Sequence, residues 1–129
     1  MPEALYYQES DNTLFLRALG HITAALCADL RERVYSRLDG GVPVSGMYVD
    51  LASCDYMDST FMGLLVGFNK RLLKSTGKRL VLVAPSAGAL DLLAGLGLTA
   101  LVDIRDAGPA FPKDMEPVEK TRAPGADML

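Results

Sequence analysis

The run Asp58-Ser59-Thr60 contains the residue types best suited to regulated chemistry in this sequence. All three residue types commonly precede a helix, and a long helical pattern follows them. A hydroxyl at a helix amino terminus lies beside free backbone N–H groups and the positive end of the helix dipole. A phosphate on Ser59 would therefore be tolerated, or favoured by about 0.3–1 kcal/mol. The alternative is that these residues only cap the helix, which contributes about 1 kcal/mol.

The sequence offers this serine no convincing catalytic partners. His21 is the chain's single histidine, and its place on a loop indicates ordinary polar surface. The sequence lacks the glycine frame of a nucleophile elbow, a phosphate-binding loop and a dinucleotide fingerprint. Asp50, Asp55 and Asp58 could meet near one strand end, but cation sites of this kind usually need more ligands. We therefore expect no enzyme activity, no metal and no cofactor.

Composition narrows the class of protein further. The 129 residues suit one domain, the net charge is −3, and lysine and arginine are scattered along the chain, which argues against nucleic-acid binding. Cys27 and Cys54 lack metal-ligand spacing and the density of a secreted disulfide framework. Neither a signal-peptide pattern nor an apolar stretch of roughly 20 residues is present. We expect a cytoplasmic protein that does not insert into a membrane.

The elements that must position Asp58, Ser59 and Thr60 follow from apolar spacing and turn residues. Short strands around Ser10-Asp11-Asn12 predict a hairpin, and Thr23 is a candidate cap for the first helix. The predicted elements, in order, are strands at 5–9 and 13–19, a helix after Thr23, a strand at 47–51, a helix from 58 to 77, a strand at 79–84, a helix at 86–97 and a strand at 101–104.

Strand and helix alternate after residue 46, which implies right-handed crossovers onto one mixed sheet with the hairpin as an antiparallel edge. The sequence thus predicts an α/β fold with a sheet of about five strands and three or more helices, spanning residues 1–106. Four of the seven prolines lie beyond Asp106 among scattered charges. We therefore predict a flexible Pro-rich tail at 107–129.

The segment from Met47 to Leu65, MYVDLASCDYMDSTFMGLL, resembles the central motif of STAS domains, the family of bacterial anti-sigma factor antagonists. The stretch GKRLVLV at 77–83 is similar to the family's next strand, and 90–98, with its closing Leu-Gly-Leu, is similar to its third helix. From about Leu5 to Ile104 the order of elements matches. The resemblance implies a single STAS-like domain.

In antagonists of this kind, the serine after the aspartate is phosphorylated by a partner that is both a kinase and an inhibitor of a sigma factor. The unphosphorylated antagonist holds that partner, and the sigma factor is released. The resemblance implies that Ser59 is the phosphoacceptor and that an anti-sigma factor/serine kinase is the partner. The predicted partner-binding residues are Asp58, Thr60, Phe61, Met62, His21 and Thr23.

Two departures from the family pattern bear on the choice of partner. Many relatives have glycine where this chain has Phe61. Either the partner has a matching pocket, or Ser59 is no longer phosphorylated, or the ring turns inward and belongs to the core. Near Gly20 the family often has Gly-Glu-hydrophobic-Asp, whereas this chain has Gly-His-Ile-Thr.

Phe61 favours a second hypothesis, in which the chain is a non-phosphorylated structural STAS subunit of a larger signalling or transport assembly. A third hypothesis is a small-ligand sensor, although the sequence shows no glycine-rich or polar pocket signature. The sequence leaves open whether the domain forms a homodimer and which sigma factor it serves.

Overall fold

A hairpin opens the fold in the computed structural model, which describes residues 3–118. Strands β1 (Ala4–Ser10) and β2 (Thr13–Ile22) pair antiparallel, with Ser10 opposite Thr13 beside the turn. The two turn residues, Asp11 and Asn12, have φ values of 51° and 62°. A two-residue hairpin turn of type I′ has positive φ at both central residues, and Asp and Asn tolerate it better than other non-glycine residues. The predicted hairpin is confirmed.

Three helices lie where the apolar spacing predicts them. The remaining elements after β2 are a 3₁₀ turn (Ala24–Leu26), α1 (Cys27–Asp39), β3 (Gly46–Asp50), β4 (Cys54–Met57), α2 (Ser59–Thr76), β5 (Val81–Val83), α3 (Ala87–Gly95), a second 3₁₀ turn (Leu98–Ala100), β6 (Asp103–Arg105) and β7 (Glu116–Pro117).

The strands form one mixed sheet in the order β6-β5-β3-β2-β1-β7, and β4 pairs with the end of β2. The pairs from β2 through β3 and β5 to β6 are parallel, whereas β1 pairs antiparallel with both β2 and β7. The α/β mixed-sheet prediction is confirmed, but the described chain has seven strands instead of about five. The two additional strands, β4 and β7, are only four and two residues long, so neither shows a clear alternation of apolar residues.

Alternate residues of the central strands face two different layers. Leu14 and Leu16 of β2 and Val49 of β3 belong to the main core, together with the apolar faces of the helices. On the opposite face, Phe15 stacks on Tyr48 at a ring distance of 6.0 Å. The helices therefore cover one side of the sheet, and a smaller aromatic cluster lies on the other.

The described part of the predicted tail covers this aromatic cluster. The Phe111 ring lies 4.9 Å from that of Phe15, Pro117 pairs with β1, and Val118 is buried in the main core. In contrast to the flexible segment predicted from residue 107, this stretch is held to the domain at Phe111 and at 116–118, because its apolar side chains find partners on the sheet and in the core. The rest of the predicted tail, 119–129, lies outside the described residues.

Candidate functional site

The amino end of α2 is capped by Asp58 rather than by a hydroxyl. Asp58 has an extended backbone (φ −84°, ψ 173°), and its Oδ1 accepts a hydrogen bond from the Phe61 N–H at 2.9 Å. Its own N–H donates to the Ile22 carbonyl at 3.0 Å, which ties the start of the helix to the end of β2. The N-cap predicted from the sequence is therefore present, and Asp58 performs it.

The second carboxylate oxygen of Asp58 reaches another helix. Its Oδ2 accepts a hydrogen bond from the Ala24 N–H at 2.9 Å, at the start of the 3₁₀ turn that leads into α1. Thr23, the predicted cap there, makes no side-chain cap; its N–H and hydroxyl both lie 3.1 Å from Glu3 Oε2. The Asp58 carboxylate thus accepts hydrogen bonds at the starts of two helical segments. Thr23 does not cap the first of them, because its hydroxyl is hydrogen-bonded to Glu3.

Ser59 and Thr60 occupy the first turn of α2, and both are exposed. Phe61 and Met62, which the sequence placed on the partner-binding surface, are 0% and 5% exposed and pack in the core. The Phe61 ring therefore points inward and belongs to the core, instead of facing a partner. Phe61 is buried because it shares a helix face with Leu64, Leu65 and Phe68. These residues follow it by three, four and seven positions, which is the spacing of one face of a helix.

His21 lies near this end of the sheet because β4 pairs with the end of β2, with His21 opposite Tyr56. The His21 Nε2 is 3.3 Å from Asp55 Oδ1, and its ring is 5.7 Å from that of Tyr56. All three side chains are exposed. The sequence analysis did not identify Asp55 and Tyr56 as surface neighbours of His21, because strand β4 was not predicted. The signal that could have found them is Tyr56, an exposed aromatic residue in that strand.

The three aspartates considered as cation ligands have separate roles. Asp50 pairs with Arg17 at 3.0 Å, Asp55 with His21, and Asp58 caps α2. Within residues 3–118 no group of three or more His, Cys, Asp or Glu side chains is arranged to hold a metal ion. In the same part of the chain, every helix is too short or too polar to cross a bilayer.

The two cysteines near the site are buried and weakly acidic. Burial, reinforced by the nearby Asp58 and Glu3 carboxylates, raises the pKa of the Cys27 thiol to about 11. Burial also raises the pKa of the Cys54 thiol to about 11. Since the thiolate is the nucleophilic form of cysteine, neither side chain is activated for chemistry beside Ser59.

Comparison with known proteins bears on the family. A family model described as "Mlab, STAS domain" matches residues 5–103. No curated protein sequence matches the chain.

Solved structures share the fold. The unphosphorylated anti-sigma factor antagonist SpoIIAA has a TM-score of 0.69 at 20% identity, covering 78% of this chain and 87% of its own. The phosphorylated form of SpoIIAA, from Bacillus, gives 0.64 at 20% identity, with 78% and 90% covered. An anti-sigma factor antagonist from Mycobacterium paratuberculosis gives 0.65 at 15% identity, with 82% and 87% covered.

The family model spans most of the chain, from the first strand to the start of the sixth. The N-terminal hairpin, the mixed sheet and the three helices agree with the fold of the structural neighbours. The identities to solved structures, at 22% and below, extend the likeness to the fold alone. The chain therefore belongs to the STAS domain family.

Proposed function

We propose that this chain is an anti-sigma factor antagonist that binds an anti-sigma factor/serine kinase in a partner-switching pathway, under the control of phosphorylation at Ser59. The observation that carries the proposal is that Asp58 caps α2, so that the neighbouring Ser59 is exposed and is not needed for the cap. The names of the structural neighbours support it, since SpoIIAA is an anti-sigma factor antagonist and has been solved in unphosphorylated and phosphorylated forms.

The location of Ser59 separates the effect of phosphate on the fold from its effect on binding. A phosphate on the first turn of α2 would meet the positive end of the helix dipole, which favours it by about 0.3–1 kcal/mol. A docked partner would face about −1.5 to −2 new charges, and an unpaired charge in an interface costs roughly 2–5 kcal/mol. At about 1.4 kcal/mol per factor of ten, binding would fall at least tens of times while the domain stays folded.

The inward ring of Phe61 removes the steric objection raised by the sequence. A kinase that approaches Ser59 meets the exposed Thr60 and the half-buried Asp58, because the Phe61 side chain points into the core. On this proposal the chain has no catalytic activity of its own and works in the cytoplasm, and the surface contributed by Asp58, Ser59, Thr60 and His21 contacts the kinase.

A second candidate function is that of a structural STAS subunit without a phosphorylation cycle. The observation in its favour is the description of the matching family model, which names Mlab and not an antagonist. On this reading Asp58 and Thr60 still meet a partner, but Ser59 serves as a fixed contact.

Isolation of the tagged full-length chain from its own cells separates these functions. The purified material is incubated with ATP, and phosphopeptides are identified by mass spectrometry, with Ser59→Ala and Thr60→Ala chains as matched controls. The proposal expects phosphate on Ser59 and release of a bound kinase, both lost in Ser59→Ala and kept in Thr60→Ala. A stable partner without any phosphate supports the structural subunit, and a co-purified small molecule without a protein partner supports a ligand sensor.

A further inference from the structure

A shallow trough follows the boundary between α1 and α2, on the side of both helices away from the sheet. It consists of three adjoining hollows of about 390, 540 and 740 Å³, and neighbouring hollows share lining residues. Thr60, beside Ser59, lines the first hollow, and Lys74, near the carboxyl end of α2, lines the last. We call this feature the α1–α2 trough.

Small residues keep the first hollow open. Ala24, Ala28 and Gly63 line it, and the space above Gly63 is empty within 4 Å of where a Cβ would lie. Farther along, Tyr35 lies against α2, where a Cβ on Gly67 would overlap its hydroxyl. The first hollow therefore has a floor of small, mostly apolar residues that leads to the Tyr35 ring.

The rim of the trough is cationic. The guanidinium groups of Arg31 and Arg71 lie 5.3 and 3.6 Å from the centre of the Tyr35 ring. Lys70 and Lys74 are exposed at the far end. These four cations face two lining carboxylates, Glu32 and Asp39, and Asp39 is paired with Arg71 at 3.3 Å. Folding thus gathers lysine and arginine side chains that are scattered in the sequence of an acidic chain.

We propose that the α1–α2 trough is a docking surface for an acidic amphipathic segment of a partner protein. Apolar side chains of such a segment would contact Ala28, Gly63 and Tyr35, and its carboxylates would meet Arg31 and Lys70 at the rim. Charge complementarity of this kind steers encounter and fixes the register of a docked peptide, whereas the apolar floor supplies burial. The trough is bounded by two helices, as in grooves that accept an amphipathic helix.

The location of Thr60 connects the trough to the phosphorylation site. A phosphate on Ser59 would add negative charge at the end of the trough where the acidic segment enters, and would weaken its binding. This connection rests on the proposed function of Ser59, whereas binding of the acidic segment to the unphosphorylated chain does not.

Selection of peptides on the whole chain tests the proposal. Random peptides of about 15 residues, long enough to form four helical turns, are displayed on phage and selected on the immobilised full-length protein. The affinity of a labelled enriched peptide is then measured by fluorescence anisotropy. The proposal expects enriched peptides rich in Asp, Glu and apolar residues, with an affinity that falls as salt rises.

Two kinds of substitution locate the binding site: reversal of a charge at the rim of the trough, and a bulky side chain placed on its floor. Arg31→Glu and Lys70→Glu are expected to weaken the peptide by about tenfold each. Lys113→Glu, the same change at an exposed lysine outside the trough, is expected to change the affinity by less than about twofold. Ala28→Tyr should weaken binding by occupying the floor without a change of charge. Circular dichroism shows whether each variant is folded before its affinity is compared.

Several outcomes would overturn the proposal. These are an absence of enriched peptides, enrichment of basic or neutral peptides, and equal effects of Lys70→Glu and Lys113→Glu. Self-association that is lost in Arg31→Glu would assign the trough to a second copy of the chain. Tighter peptide binding after deletion of residues 119–129 would assign it to the chain's own carboxyl-terminal segment.

The two proposals can fail separately. Peptide binding at the trough, without phosphate on Ser59 in cells, would support the trough and contradict the switch. If Ser59 is phosphorylated but Ser59→Glu leaves peptide affinity unchanged, the trough stands and its connection to the switch is wrong.

Discussion

Helices α2 and α3 begin with the same capping geometry but use their serines differently. At α3 the cap is Ser86, whose Oγ accepts from the Ala89 N–H at 3.1 Å and donates to the Cys54 carbonyl at 2.6 Å. At α2 the cap is Asp58, and Ser59 follows it on the exposed first turn. A serine that caps a helix has its hydroxyl engaged, whereas a serine after a carboxylate cap can be modified without loss of the cap.

The two caps also differ in what they connect. The Asp58 carboxylate joins the starts of α2 and of the turn before α1, while Ser86 joins α3 to β4. Hydrogen bonds of Asp58 therefore hold the start of α2 to the end of β2 and to the turn before α1. The side chains of Ser59 and Thr60 are exposed on this fixed start. Substitutions at the starts of α2 and α3 test this difference between the two serines.

The largest effect is expected for Phe61→Ala. The Phe61 ring is wholly buried beneath the first turn of α2, whereas the corresponding residue of α3 is the small Ala89. Removal of a buried phenylalanine ring should lower the free energy of unfolding by about 3–5 kcal/mol, measured by urea denaturation. Phe61→Leu is the control and should cost less than about 1.5 kcal/mol. A loss below about 1 kcal/mol for Phe61→Ala would contradict its place in the core.

Asp58→Ala should have the next largest effect, a loss of about 2–3 kcal/mol in the free energy of unfolding. The change removes the α2 cap and leaves the Ala24 N–H without its charged acceptor. Asp58→Asn, which keeps one carbonyl acceptor, should lose less. The exposed Asp55 provides a matched control, since Asp55→Ala removes only a surface pair and should change stability by less than about 0.5 kcal/mol.

Ser86→Ala should lower the free energy of unfolding by about 1–2 kcal/mol, because it removes a cap and leaves the Cys54 carbonyl unpaired by that hydroxyl. Labelling of the buried Cys54 thiol by an alkylating reagent gives a second readout. It should accelerate by about fivefold or more as β4 and α3 open locally, while labelling of Cys27 stays unchanged. Equal acceleration at both cysteines would indicate global unfolding instead.

The smallest effect on stability is expected for Ser59→Ala, a change of less than about 0.5 kcal/mol, since the residue is exposed and the cap belongs to Asp58. The informative result is the difference from Ser86→Ala under the same denaturation conditions. If the two alanine variants lose the same stability, the distinction between the two serines disappears.

Much of the fold follows from local patterns in the sequence. Apolar residues at spacings of three and four mark all three helices, and Asp11 and Asn12 mark the hairpin. The inward position of Phe61 agrees with its spacing to Leu64, Leu65 and Phe68. The comparison with relatives that have glycine at this position did not decide whether the ring points inward or toward a partner. The extra strands β4 and β7 were missed because each is too short to carry a periodic signal.

The candidate site depends on contacts that local patterns do not contain. The hydrogen bond from Ala24 to Asp58 joins residues 34 positions apart, and Thr23 is diverted by Glu3, 20 positions away. Likewise the cations of the α1–α2 trough come from two helices, so their proximity appears only after folding. Residue types therefore predict the start of α2, and the tertiary structure decides which of its side chains are accessible.

Charge added at Ser59 is expected to change what binds the domain and to leave the fold unchanged. The most direct measurement is the affinity of the partner captured with the wild-type chain for the Ser59→Glu chain, with the folded state of both verified by urea denaturation. We expect partner affinity to fall by at least tens of times, with the free energy of unfolding unchanged within about 1 kcal/mol. Unchanged affinity in a folded Ser59→Glu chain would contradict this expectation.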